Sequence, residues 1–336
     1  MRILPPVWVL IWLLACTRPP SGQIMSVRGP LAADSLGIAL AHEHVLVDFI
    51  GADSIRPGRY HRDSVVEKAL PHLRELRKKG CRSLFECTPA YLGRDPLLLR
   101  QLSEQSGLHL VTNTGYYGAA GQRFLPAHVF TETAEQLAAR WVGEFENGID
   151  NTGIKPGFMK LGADTGPLTE AQRKIMMAGA LAHKQTGMTV AVHLGDGRAA
   201  QEVLSILQSQ GLAPNAFVWV HAQNEKRLSV HQTMASAGVW VEFDSVSPEN
   251  LEQYVAFMNF MKQQNLLHRT LLSHDAGWYH VGEPGGGNYR GYGALFDVLL
   301  PRLQQEGFTQ EELTLVLVTN PAQAFALAVR TNRYGI

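Results

Sequence analysis

Residues 189–221 read TVAVHLGDGRAAQEVLSILQSQGLAPNAFVWVH. The stretch opens on a β-rich run, Thr189 to Leu194, and continues into Arg198 to Gln210, where apolar residues recur at helical spacing. Gly211 closes the helix, as glycine does at many helix ends, and a second apolar run follows from Phe217 to His221. This is one strand-then-helix unit and the start of another. Each strand ends on a histidine.

The same alternation extends in both directions. Strand-like runs are Gly37 to His44, Arg82 to Thr88, His109 to Tyr117, Gly157 to Ala163, Thr189 to Leu194, Phe217 to His221, Val239 to Asp244 and Thr270 to Asp275. Helix-like segments between them include Asp63 to Lys79, Thr131 to Asn147, Thr169 to Thr186, Arg198 to Gln210 and Pro248 to Gln264. Eight strand-then-helix units in this order predict an α/β fold of the (β/α)₈ TIM-barrel type. An open doubly wound sheet is the competing architecture, but no G-x-G-x-x-G follows the first strand. The glycine-rich Gly282 to Gly293 follows the last strand and is expected to be part of a rim that covers substrate.

The 336 residues are 45% hydrophobic and 18% charged, enough apolar material for one large core. Thirty basic residues balance thirty acidic ones without a basic block, which argues against a nucleic-acid partner. The first fifteen residues differ in kind. Arg2 precedes the apolar run Val7 to Ala15, which is shorter than the roughly 20 residues a membrane-spanning helix needs but suits a signal-peptide core. Leu13-Leu14-Ala15-Cys16 resembles the bacterial lipobox, in which the cysteine is lipidated. Residues 1–15 are therefore expected to be a lipoprotein signal peptide, 16–23 a tether and 24–336 the barrel. The expectation is export, with a lipid on Cys16 as the only membrane attachment. Cys81 and Cys87 lie in a strand-like stretch and read as core thiols in preference to a disulfide.

Polar residues gather at the strand ends. In Ala41-His42-Glu43-His44 the alternation of a strand sends His42 and His44 to one side and Glu43 to the other. Lys160, His193, His221 and Asp275 end later strands. His193 is 33 positions after Lys160, His221 is 28 after His193, and Asp275 is 54 after His221, spacings of one, one and two units. Singly each has an ordinary reading: a paired lysine, a histidine bonded to a loop, a helix-capping aspartate. Together, on one rim, they would be costly to bury without cations.

These stretches carry a resemblance. Val27-Arg28-Gly29-Pro30, Leu36-Gly37, AHEHVLVD, MKLGAD, GPLTE, TGMTVAVHLGDG, LLSHDAG and Asn320-Pro321 are similar to the phosphotriesterase family of the amidohydrolase superfamily, from Gly22 to about Phe325. The resemblance implies two divalent metal ions, zinc first, with manganese, cobalt or iron suiting the same nitrogen and oxygen donors. It assigns His42, His44 and Asp275 to the more buried metal, His193 and His221 to the more exposed one, and Lys160, as a carbamate, to both. It also implies hydrolysis by a metal-bridging hydroxide, with Asp275 taking up the proton. A homodimer is a family-level expectation.

Two departures bear on the substrate. Some members move a proton outward through a histidine after strand seven and an aspartate after strand six; the counterparts here are Ser245 and Asn224, which cannot do so. Tyr117 falls where lactonase-like members place a tyrosine near the exposed metal, and it reads either as a pocket-lining residue or as a core aromatic. A small lactone or carboxylic ester is the favoured substrate. The alternatives are a phosphotriester or phosphodiester, or a surface binding protein that has lost catalysis.

Overall fold

The computed structural model describes residues 22–332, so Cys16 and the expected signal peptide lie outside the described residues. Eight parallel strands form the expected ring: Ala39–Glu43, Ser83–Glu86, a third strand in two pieces (His109–Val111 and Asn113–Thr114), Phe158–Gly162, Val190–His193, Phe217–Val220, Trp240–Phe243 and Thr270–Leu272. Strand eight closes onto strand one, the Asp275 amide donating to the His42 carbonyl at 3.1 Å and the His44 amide to Ala276 at 2.9 Å. An antiparallel hairpin, Gln23–Ser26 with Gly29–Ala32, precedes the ring, so Gln23 at the end of the expected tether is already paired.

Alternation divides each strand between two cores. Phe85, Val111, Phe158, Ala191, Val218, Trp240 and Leu271 pack with one another inside the barrel, with Ile24 and Phe325. Their neighbours Leu84, Leu110, Met159, Val192, Trp219, Val241 and Leu272 pack outward beneath the helices. Each large side chain buried this way contributes on the order of 1.5–3 kcal/mol. The helices start where the sequence supplies caps: Thr133 and Thr169 accept the amides of Gln136 and Gln172 while those glutamines reach back. Helices Pro96–Ser106 and Leu228–Ala237 fill the remaining units.

In the glycine-rich loop Tyr289 and Tyr292 are buried, Tyr289 stacks on His72 of the helix Arg62–Lys78, and the Tyr292 hydroxyl donates to the His44 carbonyl at 2.7 Å. This part of the loop buttresses strand one, while Arg290 between the two tyrosines reaches the Asp275 carbonyl. Its aromatic residues gain more by burial than its glycines gain by freedom. Gly277 is essential to the same join: a Cβ there would lie 1.8 Å from the His44 carbonyl oxygen.

Cys81 and Cys87 are free and buried, as expected of core thiols. Among the described residues no helix is long and apolar enough to cross a membrane.

Candidate metal centre

The first strand does not deliver its histidines by simple alternation. Ala39 and Ala41 face the barrel interior, which would send His42 outward. Pairing with strand two slips between Leu40 and Glu43, so that one extra residue is accommodated. This bulge turns His42 inward as well, and alternation resumes with Glu43 out and His44 in. Glu43 then serves the join with strand eight, accepting from the Ser273 hydroxyl at 2.8 Å, His274 Nδ1 at 2.7 Å and the amides of His274 and Ala276.

Strand six ends in a second irregularity. Val218 and Val220 face inward, so an extended His221 would point toward the helices. Its backbone is instead left-handed, at φ 60°, which re-aims the imidazole over the barrel mouth. Asp275 is also left-handed, at φ 51°. Strained residues of this kind persist where their surroundings hold them, and they concentrate at functional sites.

Three acceptor atoms converge. His42 Nε2 lies 3.3 Å from His44 Nε2, and Asp275 Oδ1 lies 3.6 Å from the first and 3.1 Å from the second. Donors about 2.0–2.1 Å from a tetrahedral cation stand roughly 3.3 Å apart, close to all three spacings. The His44 tautomer agrees. The Thr88 hydroxyl donates to the Leu46 carbonyl at 3.0 Å, so at 2.7 Å it accepts from His44 Nδ1, leaving Nε2 unprotonated. Asp275 Oδ1 is buried without a hydrogen-bond partner, and a divalent cation would satisfy it. These residues fit a metal.

The other sequence-predicted residues surround this triad. The His42 and His221 ring centroids are 4.9 Å apart, and those of His193 and His221 are 4.4 Å apart. Lys160, on strand four beside the inward Phe158, is 2% exposed and forms no ion pair with a described residue. Burial lowers His193 well below the ordinary histidine range, helped by His221 and Lys160. Burial likewise brings His44 down to about 4. Burial and Lys160 would lower His42 too, but Asp244 and Glu242 outweigh them and raise it to about 10. Neutral imidazoles are what a cation requires, and metal binding would displace the His42 proton.

Tyr117 is half-buried at the mouth, its hydroxyl 3.1 Å from His193 Nε2. Gly162 makes room for it, since a Cβ there would lie 2.7 Å from the tyrosine ring. Asn224 and Ser245 do not hydrogen-bond Asp275; Asn224 reaches the Leu194 carbonyl and Ser245 reaches Asp244.

Two groups were not singled out in the sequence. Asp244 and Glu242 face inward from strand seven, with Asp244 Oδ1 2.5 Å from His221 Nδ1. That gap is a hydrogen bond, too short for a cation to sit between these two atoms. The signal was available: Glu-x-Asp on an inward face mirrors His-x-His on strand one. The second group is aromatic. Trp278 lies over His44 with ring centroids 4.1 Å apart, Phe49 stacks on Trp278 at 5.7 Å, and Phe124 joins Phe49 at 6.0 Å and Tyr117 at 5.9 Å. A cavity of about 820 Å³ lies elsewhere, lined by Tyr60, Tyr91, Leu97 and Tyr116. Its Arg62 and Arg94 are already paired with Asp95 and Glu144, and the converging ligand atoms are not in it.

A closed parallel barrel with histidines and an aspartate converging at its strand ends defines a barrel with a candidate metal site at its mouth. The phosphotriesterase family model matches residues 22–325, and the chain belongs to the phosphotriesterase family. It is 30% identical over 300 residues to the phosphotriesterase homology protein of Escherichia coli K12, covering 88% of this chain and all of that one. It is 27% identical over 351 residues to the N-acetyltaurine hydrolase of Mus musculus, covering 90% and 97%. Among solved structures, the organophosphorus hydrolase of Deinococcus radiodurans superposes with a TM-score of 0.82 at 24% identity, over 92% of this chain and 98% of that one. A weak promiscuous lactonase template engineered for organophosphate hydrolysis superposes with a TM-score of 0.81 at 24% identity, over 90% and 99%. These likenesses support the TIM barrel; the family makes the protein a hydrolase.

Proposed function

We propose that this hydrolase cleaves a lactone or carboxylic ester with an apolar acyl part, using two divalent cations held by His42, His44, His193, His221, Asp275 and a carbamylated Lys160. When bound, such cations polarise a substrate oxygen and make a water acidic enough to ionise near neutral pH. With Asp275 Oδ1 turned to the cation position beside His42 and His44, the second oxygen of the same carboxylate is the group that orients that water and holds its proton. Phe49, Phe124 and Trp278 wall the mouth and exclude solvent from an apolar acyl chain.

Tyr117 is the observation that carries the preference for a carbonyl substrate. Burial raises its hydroxyl well above the ordinary phenol value, so it remains a neutral donor beside His193, where a carbonyl oxygen would be received. The altered residues Asn224 and Ser245 agree with a leaving group that needs no outward proton relay.

The test is kcat/KM across lactones of increasing chain length, aryl esters, phosphotriesters and N-acyl amino sulfonates such as N-acetyltaurine. Lactones or esters are expected to lead, and Tyr117→Phe to lower their kcat/KM about tenfold, a typical cost of one lost hydrogen bond to a reacting group. A tenfold preference for phosphotriesters, or for the amide bond of N-acetyltaurine, would overturn the reading. No turnover of any substrate at full metal content would favour a binding protein.

Lipid attachment at Cys16 is proposed from the sequence alone. Cys16→Ser should move the protein out of the membrane fraction, and an unchanged fraction would contradict the anchor.

A further inference from the structure

His221 has no regular strand pairing to hold it. Its left-handed backbone sits one residue beyond strand six, in a conformation that β-carbon sterics disfavour. Besides the turn bond from the Asn224 amide to its carbonyl at 3.0 Å, what holds it is one carboxylate. Asp244 Oδ2 accepts the His221 amide at 3.0 Å while Oδ1 accepts His221 Nδ1 at 2.5 Å, so both N–H groups of the residue are fixed together. The other side of Asp244 faces the opposite half of the centre, with Oδ2 3.4 Å from His42 Nδ1.

Asp244 is itself held in place. Gln223 Nε2 donates to Oδ1 at 2.6 Å and Gln223 Oε1 accepts the Asp244 amide at 3.2 Å. The Ser245 hydroxyl adds a contact to Oδ1 at 3.3 Å, and the Tyr254 hydroxyl donates to the Asp244 carbonyl. Asp244 is fully buried.

We propose that Asp244 is a positioning residue that ties His221, beside the more exposed cation, to His42, beside the more buried one, and thereby determines whether the second cation is retained. The inference rests on the two-cation reading above. By accepting from Nδ1, Asp244 fixes the tautomer that leaves His221 Nε2 free to ligate, and by accepting the amide it keeps the left-handed turn that aims the ring inward. An asparagine has the same shape but replaces one oxygen with an NH₂ group. It can accept only one of the two His221 N–H groups, and its NH₂ would face the other. Loss of this support should therefore weaken the exposed cation before the buried one.

The experiment is Zn²⁺ titration of metal-stripped wild type, Asp244→Asn and Gln223→Leu, with circular dichroism to verify folding and electron paramagnetic resonance of the Mn²⁺-loaded forms. Wild type should bind two Zn²⁺ per chain and give a spin-coupled Mn²⁺ pair. Asp244→Asn should keep the first equivalent near wild-type affinity, bind the second 10–100-fold more weakly, and show isolated Mn²⁺ in place of the coupled pair. Gln223→Leu, which removes both side-chain bonds to Asp244, should weaken the second equivalent at least fivefold. Wild type that binds one or no cation would overturn the two-cation reading on which the proposal stands. Two cations in wild type, with folded Asp244→Asn binding the second within threefold of wild type and retaining the coupled signal, would overturn the positioning role alone. Should Asp244→Asn fail to fold, Gln223→Leu decides, and a second-site affinity within threefold of wild type overturns the role.

Discussion

The amide of Asp275 donates to the carbonyl of His42 at 3.1 Å, so a bond that closes the barrel joins two residues whose side chains also converge on the candidate metal position. Two residues further on, Gly277 has φ 94°, and a Cβ would meet the His44 carbonyl. Gly277→Ala is therefore expected to destabilise the fold by about 2–4 kcal/mol, combining left-handed strain with a backbone clash. Urea unfolding checks this, and a loss below about 1 kcal/mol would show that the join is more compliant than described.

Asp275→Asn separates chemistry from structure. The backbone bonds of Asp275 do not need the carboxylate, since the Trp278 indole and Arg290 both donate to its carbonyl. Stability is expected to stay close to wild type while turnover on metal-replete protein falls by roughly 10²–10⁴, the usual span for a lost general acid–base group. Turnover within about tenfold of wild type would remove Asp275 from the proton-handling role.

Much of this arrangement was legible because barrel periodicity is a sequence property. Eight apolar runs at regular intervals gave the ring, and polar residues at their ends gave Lys160, His193, His221 and Asp275. The irregularities were not legible. A bulge at Ala41 and His42 arises in the pairing with strand two, and the left-handed His221 is hydrogen-bonded by a carboxylate 23 positions away. Thr88, which fixes the His44 tautomer, carries no mark in the sequence that distinguishes it from other strand threonines. Within residues 282–293 the glycine-rich composition did not reveal that Tyr289 and Tyr292 are buried against strand one and the helix Arg62–Lys78.

Acid should loosen the protein partly through Glu225, away from the metal residues. Its carboxylate accepts from Arg227 Nη2 at 2.9 Å and from the amides of Arg227 and Gly197 at 2.8 and 3.2 Å. The Arg227 side chain, with those amides, outweighs burial and holds it down at about 2. A folded value below the unfolded one gives stability that is present above pH ~4.5 and lost as the pH falls toward 2. Arg227 is 66% exposed, so solvent screening keeps the contribution small. Glu225→Gln should thus be less stable than wild type at pH 7, with the gap narrowing by pH 3. A gap that stays constant over that range would contradict the assignment.

Metal counting addresses the central claim most directly. Protein reconstituted with Zn²⁺, freed of excess by gel filtration and measured by inductively coupled plasma mass spectrometry, should carry two cations per chain. Lys160→Ala, prepared in parallel, should fall below two because a group proposed to bridge both cations is gone. One or no cation per chain in wild-type protein that hydrolyses its substrate at full rate would contradict the account.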